Sequence, residues 1–154
     1  MFHIVLFQPQ IPPNTGNIIR LCANTGAKLH LIKPLGFDLD DKNLRRAGLD
    51  YHEYAQVRQY ENLSEFINTI NPKRIFACST KGKHNHTQVK FNPNDALLFG
   101  AETSGLPADL LEKFDQDNIL RIPMLAASRS LNLSNSVAVI LYEALRQNDF
   151  AMLG

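Results

Sequence analysis

Apolar residues along this chain fall into short continuous runs separated by stretches of helical spacing. Phe2 to Phe7 is a compact apolar run ended by Gln8-Pro9, as in a buried strand that a proline stops. The capping residues Asn14-Thr15-Gly16-Asn17 then precede Ile18, Ile19, Leu21, Cys22 and Ala23, which predict a helix closing near Gly26. Lys28 to Pro34 reads as a second strand. Asp40 to Ala47 places acids first and Arg45-Arg46 last, the charge order of a short exposed helix. Gln56 to Gln59 is a candidate brief strand, and Asn62 to Ile70 is an amphipathic helix with Leu63, Phe66, Ile67 and Ile70 on one face. Arg74 to Ser79, Ala96 to Phe99 and Asn118 to Ile122 read as further strands, and Thr80 to Phe91 as a polar, basic connection. Helices are predicted from about Pro107 to Phe114, with proline at the first position, and from Leu133 to Gln147. Strands alternating with helices at such short intervals predict an α/β domain with a mainly parallel sheet.

Composition narrows this without redirecting it. With 154 residues, 44% of them hydrophobic, the chain can bury one real core and is short for two, so one domain with no appended RNA-binding domain is expected. The formal charge of +1 exerts no global pull on polyanions, so nucleic acid would have to be met by local patches. Lys73 to Lys90 holds five basic residues and no acid, and Arg20 to Arg46 six basic residues against three acids; each fits an RNA-facing surface or an ordinary solvated one. Cys22 and Cys78 lie in apolar segments and predict neither a disulfide nor a metal ligand. The first residues resemble no signal and no membrane span, and a cytoplasmic location is expected.

The candidate chemistry lies where strands end, since open α/β sheets bind ligands at their carboxyl edges. Three strands end in permissive sequence, at Cys78-Ser79-Thr80, Phe99-Gly100 and Ile122-Pro123-Met124. Gly100 allows close approach to the backbone, and the apolar neighbours suit a nucleoside-sized heterocycle. The stretch from Ser128 to Ser136, dense in Ser and Asn beside the core, requires capping, a tight turn or a ligand. No Gly-x-Gly and no Gly-Lys-Ser/Thr occurs, which argues against a dinucleotide fold or a phosphate loop. His84 and His86 lack a nearby carboxylate or thiol and predict an exposed loop, with no metal expected.

Three segments together resemble a known family. Asn14-Thr-Gly-Asn17-Ile-Ile-Arg20, Phe99-Gly100-Ala-Glu102-Thr-Ser-Gly105-Leu, and Ile122-Pro123-Met124 followed by Ser130-Leu-Asn132-Leu-Ser-Asn135-Ser136 are similar to the three motifs of the SPOUT methyltransferases, in order. The nearest branch is the TrmH-like tRNA ribose 2′-O-methyltransferases, in its minimal single-domain form. The resemblance implies a C-terminal trefoil knot, a homodimer with the last helix and the first-motif helix at its interface, and S-adenosylmethionine (leaving as S-adenosylhomocysteine) held at the strand ends. It implies cofactor contacts at Cys78, Thr80, Gly100, Ile122, Met124, Ser130 and Leu131, and a catalytic set of Arg20, Asn14, Glu102, Ser130 and Asn132. Asn14 has the competing reading of a helix cap, and so does Asn132.

By the same resemblance the substrate is the wobble cytidine or uridine of leucine tRNAs, and Arg20 stands at the ribose hydroxyl. A guanidinium stays protonated below about pH 12, which makes it a poor base and a good ligand for phosphate or a developing alkoxide. Arg129, Arg45, Arg46, Lys81 and Lys83 are candidates for RNA phosphate contacts. Two alternatives remain: the same chemistry on another tRNA position or on ribosomal RNA, and a knotted RNA-binding or assembly protein without catalysis.

Overall fold

The computed structural model describes residues 1–154. Seven parallel strands form a single sheet: β1 (His3–Phe7), β2 (Lys28–Ile32), β3 (Arg58–Tyr60), β4 (Ile75–Cys78), β5 (His84–Asn85), β6 (Ala96–Phe99) and β7 (Ile119–Arg121). Their order across the sheet is β3-β2-β1-β6-β4-β7-β5. Every strand pairing is parallel, with His3 opposite both Lys28 and Ala96, and Cys78 opposite both Phe99 and Leu120. The central strands are apolar throughout because both faces are covered.

Strand alternation sorts the core onto the two faces. Ile4, Leu6, Leu31, Phe76, Leu97, Phe99 and Leu120 point to one side, where they join Ile18, Ile19, Val137, Ile140 and Leu141 from α1 (Pro12–Thr25) and α6 (Leu133–Gln147). Val5, Ile32, Ala77, Ala96, Leu98 and Ile119 point to the other, against Phe66 of α4 (Leu63–Ile70) and Leu111 of α5 (Ala108–Leu111). The period of two assigns each strand residue to a face, and the 3.6 period of the helices covers both. On the second face, buried His30 is bridged through its ring nitrogens to His3 and to the Tyr60 hydroxyl, each at 2.9 Å. Arg74 clasps buried Asp95 through two hydrogen bonds, 3.0 Å from Nε and 2.6 Å from Nη2, just before β4 and β6 begin.

Several boundaries differ from expectation for local reasons. The first helix begins at Pro12, because prolines in the first turn lose no helical hydrogen bond, and Asn14 is therefore inside the helix and not its cap. Gly26 ends it with φ 76°, as expected. The second strand stops at Ile32, short of Pro34, and the third is shifted to Arg58–Tyr60. The connection after Thr80 contains β5, whose two residues carry no apolar alternation to announce them. Two small helices, α2 (Asp41–Arg46) and α3 (Tyr51–Tyr54), follow β2, and a 3-10 turn at Gln116–Asn118 precedes β7. The helix after Pro107 is only Ala108–Leu111, while α6 spans the predicted Leu133–Gln147.

Candidate functional site

The carboxyl ends of β4, β6 and β7 are adjacent because those strands are neighbours or next neighbours in the sheet. The chain leaves each of them into a cleft lined by Cys78 and Thr80, by Gly100 and Glu102, and by Ile122 and Met124. Ser130 and Leu131 close it from the loop before α6, and Ser136 and Ile140 from α6 itself. All seven positions expected around a cofactor thus line one cleft. Its volume of about 190 Å³ lies below the roughly 300–1,000 Å³ of enclosed small-molecule sites, so a nucleoside-sized ligand would sit partly in the open.

Gly100 has a different reason to be glycine from the one its position first gave. The turn after β6 folds back on itself, with Gly105 N–H donating to the Ala101 carbonyl at 2.9 Å. A Cβ on residue 100 would run into the backbone of Gly105 and Leu106. The constraint is therefore the turn's own closure, which sets the shape of the cleft floor. Gly105, at φ 66°, supplies the left-handed residue that the turn needs.

That turn delivers Glu102 to the start of α1. Its carboxylate accepts the backbone N–H groups of Gln10 and Ile11, both at 2.8 Å, and the Asn14 side-chain amide at 3.2 Å. Ile11 is the N-cap of α1 and offers no side-chain cap, so an acid from 91 residues away serves the positive end of that helix. Asn14, with Nδ2 given to the carboxylate, turns Oδ1 to Asn132, whose Nδ2 donates at 3.0 Å. Asn132 in turn caps α6, its Oδ1 accepting from Ser134 N at 2.9 Å and Asn135 N at 3.3 Å. Three segments far apart in sequence are tied in one relay beside the cleft. Glu102 and Ser130 line the cleft, whereas Asn14 and Asn132 stand behind it.

Arg20 is elsewhere. It borders a separate cavity between α1 and α2, which shares no lining residue with the strand-end cleft. Glu53 and the Gly48 carbonyl hold it there. This ion pair lowers the Glu53 carboxyl below its ordinary range and raises Arg20. Among the other basic candidates, Lys81 lines the cleft, and Arg129, Lys83, Arg45 and Arg46 are all exposed, the last two on α2. Desolvation pushes the half-buried Cys78 thiol up, which disfavours its thiolate. The sequence reading missed Glu53, though Asp50-x-x-Glu53 is the signature of a capping box. It also missed Thr103 and Ser104, which line the cleft and carried no signal beyond polarity.

A parallel α/β sheet with an open cleft at its central strand ends is the arrangement in which α/β proteins bind nucleoside-like ligands at that edge. The model of the SpoU rRNA methylase family matches residues 1–142, and the chain belongs to that family. It is an RNA methyltransferase by that membership. It is 58% identical over 151 residues to a tRNA (cytidine(34)-2′-O)-methyltransferase of Aeromonas hydrophila, covering 98% of this chain and 97% of that one. A solved structure concerned with 2-OH methylation of C/U34 on tRNA superposes with a TM-score of 0.87 at 43% identity, covering 97% of both chains. The methyltransferase AviRb of Streptomyces viridochromogenes, solved in complex with AdoMet, superposes at 0.80 with 25% identity, covering 96% of this chain and 57% of that one.

Proposed function

We propose that this chain methylates the ribose 2′-oxygen of the wobble nucleotide, cytidine or uridine 34, in leucine tRNAs, using S-adenosylmethionine. The observation that carries the reading is that the second and third motif segments line the strand-end cleft while Asn14 of the first is hydrogen-bonded to both of them, in a chain 58% identical to a C34 methyltransferase. The leucine identity and the cofactor dependence rest on the family resemblance. So do the C-terminal trefoil knot, the single catalytic domain and a cytoplasmic location. No helix here is long and apolar enough to cross a membrane.

The cleft fits such a cofactor in kind. Ile122, Leu133 and Ile140 offer apolar contact to a heterocycle, and Thr80, Ser104 and Ser130 present exposed hydroxyls. Bound there, S-adenosylmethionine would supply a methyl group on a positively charged sulfur. The protein's own contribution is orientation, and positioning alone is worth roughly 7–11 kcal/mol of a barrier. Ser130 lines the cleft, where its hydroxyl can contact a bound ligand. Glu102, Asn14 and Asn132 fix the turn, the α1 start and the α6 start against one another, so their part is to hold the cleft's walls in register. Arg20 binds an RNA phosphate and steadies the developing alkoxide, while the proton leaves to phosphate or water.

A homodimer packed through α1 and α6 belongs to the same reading. Val139 and Tyr142 leave apolar side chains 40% and 45% exposed on α6. Because Arg20 and the cleft do not meet within one chain, the second copy's cleft is where Arg20 acts. Incubation with labelled S-adenosylmethionine and either bulk tRNA or ribosomal RNA, followed by nucleotide mapping by mass spectrometry, tests the whole reading. Label at position 34 of leucine tRNAs is expected. Label confined to ribosomal RNA or to another tRNA position refutes the substrate, and cofactor binding without transfer to any RNA refutes catalysis. Arg20→Lys should abolish turnover and spare cofactor affinity.

A further inference from the structure

Arg20 reaches out from α1 and is held on one edge only. Nε donates to Glu53 Oε2 at 2.8 Å, Nη2 donates to Glu53 Oε1 at 3.3 Å, and Nη2 also donates to the Gly48 carbonyl at 2.6 Å. A guanidinium has five N–H groups, so both hydrogens of Nη1 remain unused. The two partners differ in freedom. Half of the Arg20 side chain is exposed, but only 10% of Glu53 is. Glu53 is also fixed independently of Arg20, because its Oε1 accepts the Asp50 backbone N–H at 2.8 Å in the capping box that starts α3. The carboxylate is a rigid bracket, and the arginine is the part it steadies.

The surroundings say what the free end meets. A cavity of about 380 Å³ opens beside Arg20 between α1 and α2, with Asn17, Phe37, Asp38 and Asn43 among its walls. That volume is in the range that seats a nucleotide-sized group. Asn17 and Asn43 are exposed amides, and Phe37 is a half-buried ring. Arg20 is the one cation and Asp38 the one acid among the residues lining this cavity, so a phosphate there would be met by Arg20.

We propose that Glu53 is a positioning residue for methyl transfer: it grips one edge of the Arg20 guanidinium so that the Nη1 end meets an RNA phosphodiester at the mouth of the α1–α2 cavity. The inference rests on the role given to Arg20 above. A surface ion pair that merely fastened α3 to α1 would contribute little and would act on stability alone. A bracket acts through Arg20, so its removal costs RNA binding only while Arg20 is present.

The test is a double-mutant cycle on the full-length protein, reading tRNA affinity by fluorescence anisotropy beside cofactor affinity and thermal midpoint. Glu53→Gln keeps an acceptor for the Asp50 N–H and removes the charge that holds Arg20. On its own it should weaken tRNA binding about 10-fold and lower turnover, as loss of a charge-assisted hydrogen bond does. In an Arg20→Ala background it should change tRNA affinity less than about 2-fold, and cofactor affinity should be the same in all four proteins. Glu53→Asp keeps the charge but shortens the reach, and should fall between wild type and Glu53→Gln. Unchanged tRNA affinity in Glu53→Gln, or an equal loss with and without Arg20, overturns the inference. A loss with Arg20→Ala but none with Glu53→Gln overturns it while leaving the role of Arg20 standing. Absence of transfer by the wild-type protein to any RNA removes the proposed function instead.

Discussion

Asn14 and Asn132, 118 positions apart in sequence, share a 3.0 Å hydrogen bond that joins the first turn of α1 to the cap of α6. The direction of that bond is set by its ends. Glu102 can only accept, so Asn14 must offer its amide nitrogen there and its oxygen to Asn132. Asn132 must keep its own oxygen for the α6 N–H groups. The cleft between these elements has a defined shape because the relay admits one orientation of each amide.

Asn132→Ala should therefore cost more than a cap. Loss of the cap alone is worth about 0.5–2 kcal/mol, and Asn14 loses its partner as well. Asn132→Asp separates the two effects: it retains the cap but sets an acceptor against the Asn14 oxygen. Urea unfolding should show a large loss for alanine and a smaller one for aspartate, with cofactor affinity reduced in both.

Gly100→Ala places a methyl group against the Gly105 and Leu106 backbone, where no side chain can move aside. A destabilisation of about 3 kcal/mol or more is expected, since backbone must shift. Isothermal titration should find cofactor binding lost even at temperatures where circular dichroism shows the protein folded.

Arg74→Met strands the Asp95 carboxylate, which is 2% exposed and keeps only the Asn92 N–H at 2.7 Å. Arg74 is itself partly exposed, so leaving the buried carboxylate unpaired should cost somewhat less than the ~3 kcal/mol of a fully buried pair, readable as a lowered midpoint in chemical denaturation. The pair holds the starts of β4 and β6, so the cleft at their far ends should bind cofactor more weakly.

Acid should destabilise this protein through His30. Burial, followed by the nearby His3, Arg58 and Lys28 charges, pushes its pKa down from 6.5 to about 3. Between those values the unfolded chain carries a proton that the folded chain refuses. The stabilisation is thus complete above pH 6.5 and falls as the pH drops towards 3, by ~1.4 kcal/mol per pH unit for this one group. Urea midpoints measured from pH 8 to pH 4 should decline accordingly, and His30→Gln should flatten the slope.

The sequence by itself determined the α/β class, the main strands, the full span of α6 and the three strand ends where the cleft lies. Those features follow from local periodicity and from prolines and glycines that act on their immediate neighbours. Tertiary structure decided what the polar residues do. Nothing near Glu102 in the chain shows that it serves the start of α1. Nothing near Arg20 points to Glu53, and Asn132 both caps a helix and reaches Asn14. The two-residue β5 exists only because β7 lies beside it. A polar side chain can satisfy its hydrogen bonds with many partners, and only the packed sheet, by bringing distant segments within 3 Å, selects among them.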